Sequence, residues 1–264
     1  MQRAHDEAVS AVRAPTHEER LGALEARLDE LALTYEARRD SRCVFTYAYA
    51  LMTRRLKERL DDAGLTDPGW IVALAEEFGG LYISAVTAWD GDRDRVPPGW
   101  RSVFGTICPK RTSPLEDLVF AMAAHIIRDL PHALIEVGLV DSTGNSHIAD
   151  FHAINKIMGD TVDEMQSEIS ARYARYLGWL DRVGRAEDEL LSNYGIRMSR
   201  GMAWYNATRL LDPASAQRAA ESIDRSPGEF IGEIMRQPVL RLFRLLVHSL
   251  RRWPAAASQR VQTR

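Results

Sequence analysis

Cysteine is scarce in this chain of 264 residues: Cys43 and Cys108 are the only two. A disulfide-framed secreted domain would need more, and the pair lacks the Cys-x-x-Cys spacing of a redox or zinc motif. Two lone thiols suit a reducing cytoplasm, where such residues usually serve as small core side chains. No uninterrupted apolar run approaches the roughly 20 residues that span a bilayer. The start, Met1-Gln2-Arg3-Ala4-His5-Asp6-Glu7, lacks the apolar stretch of a signal peptide. The expected location is therefore cytoplasmic, without membrane insertion. An excess of one charge is missing too: 34 basic and 37 acidic side chains leave a formal net charge of −3. That balance gives no global attraction for nucleic acid, and none is expected as a partner. There is no Asn-Gly hairpin and no alternating β-branched run. Phosphate loop, dinucleotide fingerprint and nucleophile elbow are absent as well, so no nucleotide cofactor is expected.

What remains is a helical pattern. Hydrophobic residues make up 45% and charged residues 27%, ordinary usage for a chain long enough to bury a core without staples. Residues 1–16 read as a flexible arm, 17–253 as one helical domain and 254–264 as a disordered tail. Thr16 and Glu19 have the spacing of a capping box. Leu21, Leu24, Leu28, Leu31 and Tyr35 then form one stripe at three- and four-residue intervals. A second stripe runs through Phe45, Tyr49, Met52, Leu56 and Leu60 to Gly64. A third opens at Asp67-Pro68 and carries Trp70, Leu74, Phe78, Leu81, Ala85 and Trp89. The stretch 90–113, with Pro97-Pro98-Gly99 and Pro109, reads as an irregular loop pinned by Trp100, Val103 and Phe104. Helix resumes near Pro114 and runs toward His125. Because Pro131 disfavours an α conformation at Leu130, a stop before it is one reading. A short apolar helix then reaches Val140, and Asp141–Ser146 is a loop. A long helix follows from about Ala149 past Tyr176 and Leu180, with breaks expected at Gly159 or Gly184. Helices over 187–211, 214–223 and 227–252 complete the pattern, the last kinked by Pro238. The fold class is all-α, a single-domain multi-helix bundle.

His125, Asp129 and His132 lie at i, i+4 and i+7, on one helical face if the helix is continuous. A His and a carboxylate one turn apart can share a divalent metal, or form an oriented pair in which the acid fixes the imidazole tautomer. Either supplies a base or a Lewis acid near neutral pH. If the helix stops, Asp129 is instead a cap and the stripe dissolves. Arg128 is a candidate anion clamp or salt bridge. Asp150 and His152 could complete a metal shell with His125 and Asp129, or Asp150 could simply cap the long helix. Asn155, an amide on an otherwise apolar helix, needs polar partners and points to a pocket. Tyr49, Tyr82, Trp89 and Trp204 are core residues or pocket lining. Arg241, Arg244, Arg251 and Arg252 form a basic edge on the last helix, a solvated face or a partner surface.

In Phe45-x3-Tyr49-x3-Thr53, in Asp67-Pro68-x-Trp70 and in Phe78-x3-Tyr82, the chain resembles a bacterial family known as domain-of-unknown-function family 5995. The resemblance is strongest at Ala124-His125-Ile126-x-x-Asp129-Leu130-Pro131. It continues at Asp150-Phe151, Ile154-Asn155 and Arg200-x2-Ala203-Trp204-x2-Ala207. It implies that His125, Asp129, Asp150 and Asn155 belong to one polar pocket. The family pattern has a Gly and an Asn shortly before the His, where this chain has Ala121 and Ala123; that departure bears on whether the family's chemistry is kept.

Three functions are then in view. The first is an enzyme acting on a small metabolite, with His125 as base or metal ligand, Asp129 as its partner and Arg128 beside them. The others are a non-catalytic binding module with an aromatic pocket, and a protein-interaction scaffold using the basic terminal helix. The first takes a small-molecule ligand, by acid–base isomerisation or cyclisation or by hydrolysis assisted by one divalent metal. Homo-oligomerisation stays open.

Overall fold

The Thr16 hydroxyl accepts the Glu19 N–H, and the Glu19 carboxylate accepts the Thr16 N–H at 2.7 Å, so the capping box closes as its spacing predicts. The computed structural model describes residues 13–173 and 193–238. From the box runs α1 (His17–Ala37), burying Leu21, Leu24, Leu28 and Tyr35. Antiparallel neighbours follow as α2 (Arg42–Arg59) and α3 (Pro68–Asp90). A 3₁₀ turn and Gly64, at φ +64°, end α2 in the left-handed conformation that glycine adopts at little cost. Asp67 caps α3 by accepting the Trp70 N–H at 2.9 Å, with Pro68 in the first turn.

Next come α4 (Pro98–Ile107), α5 (Pro114–Ala124), a π turn over His125–Asp129, α6 (Leu130–Val137), α7 (Ile148–Ala153), α8 (Asn155–Tyr173), α9 (Asn193–Leu211) and α10 (Ala216–Arg236). Among the described residues there is no strand, only an isolated bridge between Val140 and Ser146 that closes the 141–145 loop. The bundle is all-α. Ion pairs staple its helices: Arg54 and Lys57 on α2 to Glu25 on α1, Arg59 on α2 to Asp160 on α8, and Arg172 on α8 to Glu36 on α1.

Several boundaries differ from those the pattern predicts. The 90–113 stretch contains a full ten-residue helix, α4, because two prolines at its start suit the first helical turn, where no N–H is needed. Trp100, Val103 and Phe104 on it are buried and pin the stretch to the body as expected, from a helix and not from a loop. The long helix breaks at Ile154, between α7 and α8, and not at Gly159. The helices predicted over 214–223 and from 227 are one, α10, with Pro227 inside it and packed on Gly99. Tyr176, Leu180, Gly184, Pro238's predicted kink beyond residue 238, the basic edge Arg241, Arg244, Arg251 and Arg252, and the tail lie outside the described residues.

Two helices, α3 and the rod from Pro114 to Val137, are long and apolar enough to cross a membrane by length and composition, although no uninterrupted run predicts it. Most of the rod's apolar window is buried among other helices, and a core helix passes the same test.

Two apolar clusters form the interior. One gathers Phe45, Tyr82, Trp100, Phe104 and Met165; the other gathers Trp70, Ile71, Leu74, Leu130, Leu134 and Phe151. Ile126 and Met158 pack against both, so the π turn and α8 sit on the seam between them.

Candidate functional site

A proline in a helix interior lacks an N–H and crowds the carbonyl four residues back. Here the chain does not stop before Pro131; it widens. The Leu130 N–H bonds to the His125 carbonyl, five residues back, and the helix passes through the π turn into α6. Single π turns of this kind are frequent at functional sites. Asp129 is helical and caps nothing through its side chain.

The widened turn sets His125 over Asp129. Nδ1 of His125 lies 3.0 Å from Asp129 Oδ2, and the same oxygen accepts the Trp100 indole N–H at 2.7 Å. Asp129 Oδ1 accepts from Arg128 Nη1 at 2.7 Å, and Arg128 Nε donates to Asp224 on α10 at 2.9 Å. Asp129 is wholly buried. An ionised carboxylate only accepts, so the imidazole hydrogen belongs on Nδ1 and Nε2 carries the lone pair. Burial pushes the His125 pKa below its ordinary value, against the opposing pull of Asp129, which keeps the ring neutral.

His125 also lines a hollow. Its cavity volume is about 90 Å³, and it reaches between α2, α3, the π turn, α8 and α9. Phe45, Ala48, Tyr49 and Met52 present one face of α2 to it, at intervals of three and four residues. A second hollow of about 70 Å³ adjoins it, sharing Tyr49, Met52, Phe78, Leu130, Met158 and Arg200 as common wall. Phe78 stacks flat on the imidazole, ring centroids 3.5 Å apart and planes 8° from parallel. The first hollow is lined by hydrocarbon, thioether and aromatic rings except at three points, Tyr49, His125 and Arg200.

Two of those polar groups are unsatisfied. His125 Nε2 and the Tyr49 hydroxyl are buried and have no hydrogen-bond partner, and their rings lie 4.7 Å apart. Leaving a buried polar atom unpaired costs on the order of 1–3 kcal/mol, so such atoms are rare where nothing binds. Burial, helped by Asp129, raises the Tyr49 pKa well above its ordinary value, so the phenol stays protonated and can donate. A neutral imidazole and a phenolic donor thus belong to residues lining one apolar hollow, their rings side by side.

The remaining predicted residues distribute unevenly. Asp150 neither lines the hollow nor caps the long helix: its two oxygens accept the Thr66 and Asp67 N–H groups at 2.8 and 2.7 Å, pinning the turn before α3. Asn155 stands behind the wall, its Oδ1 accepting from Arg200 and its amide 3.3 Å from His152 Nδ1. His125 and Asp129 therefore do not meet Asp150 and His152, and among the described residues no group of three or more His, Cys, Asp or Glu could hold a metal ion. The four-ligand metal shell is corrected on that ground, since Asp150 is spent on backbone. Arg128 is a clamp between two carboxylates and lines neither hollow. Tyr82 lies behind Phe45, with its hydroxyl on Thr46. Trp89 packs on Phe104 and under Arg93, and Trp204 packs on Trp70 and Phe151, both away from the hollow. Tyr49 alone of the four aromatic candidates reaches it. His132 lines neither hollow. Ala121 and Ala123 are buried methyls. Phe78 and Arg200 are wall residues that pattern reading leaves without a role.

A family model described as a family of unknown function, DUF5995, matches residues 21–237. No curated protein and no solved structure matches the chain.

Proposed function

The chain belongs to the DUF5995 family, and on that premise we propose that it is an enzyme performing acid–base chemistry on a small apolar metabolite in the hollow beside His125. His125 takes a proton through Nε2. Asp129 holds the imidazole in the required tautomer and stabilises the imidazolium that forms. Trp100 and Arg128 fix Asp129 in turn. Tyr49 donates a hydrogen bond to the oxygen on which negative charge develops, or returns the proton at a neighbouring atom. Phe78, flat against the ring, keeps water from its face. An isomerisation or cyclisation needs only these parts: one base, one donor and a dry apolar enclosure. The observation that carries this reading is the pair of buried, unpartnered atoms, His125 Nε2 and the Tyr49 hydroxyl, on one cavity wall.

The test is turnover. Purified protein is incubated with a library of small apolar metabolites, and substrate loss and product formation are followed by mass spectrometry. Conversion should fall by about 10²–10⁴-fold in His125→Gln, with a smaller loss in Tyr49→Phe. Conversion unchanged in a folded His125→Gln protein would sink the assignment. A second reading, a non-catalytic binding module, is favoured by the nearly all-apolar lining of the hollow. It predicts a compound retained and returned unchanged by both proteins.

A further inference from the structure

One charge at the hollow takes no part in that acid–base pair. Arg200 on α9 is more than nine-tenths buried, and it lines both hollows. Its Nε donates to Asn155 Oδ1 at 2.6 Å and its Nη2 to the Phe151 carbonyl at 2.8 Å, where α7 gives way to α8. The guanidinium carbon sits 4.0 Å from the Phe151 ring centroid. Both acceptors are neutral. Among the described residues no carboxylate pairs with Arg200, and burial alone pulls its pKa down to about 9.

A buried ion without a counter-ion is costly, and proteins normally pair it or let it go neutral. An arginine does not lose its proton at physiological pH, so the unmet charge persists. A guanidinium carries five N–H groups in a planar fork. The two bonds from Nε and Nη2 fix the plane, and Nη1 donates to no described residue. That leaves the Nη1–Nη2 edge, the side that matches a carboxylate in bidentate geometry.

We propose that Arg200 is the anchor for a ligand carboxylate, and that the hollow takes a small apolar carboxylic acid of the medium-chain fatty acid class. This rests on the reading of the hollow as the working site and names the class of molecule it admits. The hydrocarbon lies among Met52, Met122, Met158 and Met165, whose unbranched thioethers adapt to chains of varied shape. One negative charge matches one guanidinium; a phosphate dianion would carry surplus charge into walls of Met, Leu and Phe. With the head group held on α9, the chain passes the Tyr49–Phe78 wall that the two hollows share, and His125 addresses a carbon or hydroxyl along the chain.

Isothermal titration of the full chain at pH 7.5 tests this, with octanoate as probe and 1-octanol as its neutral counterpart. Octanoate should bind at least about tenfold more tightly than the alcohol. Arg200→Met should bring the two within about threefold, and Arg200→Lys should keep part of the preference. A merely structural role at the α7–α8 junction would lower thermal stability in Arg200→Met without touching that ratio. Equal affinity for acid and alcohol in the unaltered protein, or no saturable octanoate binding, overturns the proposal whether or not the variants fold. So does a preference that survives in a folded Arg200→Met protein. His125→Gln separates the two ideas: it should lower turnover by the same factor of about 10²–10⁴ and retain the preference for acid over alcohol. Lost turnover without any such preference leaves the base standing and removes the anchor.

Discussion

The Trp100 indole and the His125 imidazole converge on a single atom, Oδ2 of Asp129, at 2.7 and 3.0 Å. The two donors come from α4 and from the π turn. The carboxylate between them is therefore what ties the 98–107 helix to the His125 imidazole, and the setting of that ring depends on a segment 29 positions earlier than Asp129.

Removing that charge should be costly. Asp129→Asn leaves one acceptor oxygen for three donors and strips Arg128 of a buried partner. A loss of about 3 kcal/mol is expected, read as a lower urea midpoint with an unchanged slope. Faster hydrogen exchange at the Trp100 indole should accompany it. No change in midpoint would mean that the shared oxygen is not holding the site.

The His125 pKa is depressed in the folded state by burial, and the His132 pKa is also lowered, by burial and then by Arg128. A depressed pKa means that the unfolded chain binds protons more readily between the two values. The contribution to stability is thus complete above the unfolded value of about 6.5 and is lost as pH falls toward the lower folded values. Melting temperature should drop as pH is lowered from 7.5 to 5, and His125→Gln should flatten part of that slope. Nitrogen NMR at pH 7 should show a protonated Nδ1 and a bare Nε2. A melting temperature independent of pH across this range would contradict the depressed values.

Asp150 belongs to the architecture. Replacing it with Ala strands the Thr66 and Asp67 N–H groups in a half-buried turn, for a loss of roughly 1–3 kcal/mol. Those two amides should exchange faster, and octanoate affinity should change little. If Asp150→Ala instead abolished ligand binding at unchanged stability, the assignment of Asp150 to the turn would be wrong.

Gly79 lets α1 and α3 touch: a Cβ there would sit 2.6 Å from Leu24 Cδ1. Gly79→Ala should cost about 1–3 kcal/mol by overpacking. Adding Leu24→Ala should recover part of that cost, because the methyl then has room. A strictly additive double variant would show that the two positions do not meet.

Much of the frame is legible in the sequence. Thr16 with Glu19, and Asp67 with Pro68, mark helix starts because caps obey local rules, and the leucine stripe of α1 reports its buried face directly. The π turn was not legible. Pro131 restricts Leu130 locally, and whether a chain answers by stopping or by widening depends on what packs around it, here Trp100 and the seam between two cores. The His125–Asp129 pair was visible as a spacing, and the resemblance named it. Asp150 is illegible for the opposite reason: an acidic residue near a helix start reads as a cap or a metal ligand, whereas its partners, Thr66 and Asp67, lie more than 80 positions earlier. Arg200 left a faint trace. It shares a helical face with Ala203 and Ala207, both buried, and an arginine in line with buried alanines is an arginine facing inward.

The π turn inserts, in effect, one surplus residue into an otherwise regular rod. Excising a single position between 125 and 129 would let α5 and α6 run together in ordinary register, relieving nothing but the bulge. Everything downstream would then rotate by about 100° relative to His125, shifting the acid from the fourth to the third position after the imidazole and turning it out of line with the Trp100 indole that it now accepts from. A shortened relative of this sequence would keep the bundle and lose the single oxygen on which Trp100 and His125 meet, so the length of this five-residue stretch serves as a readable signature of whether a homologue keeps that arrangement.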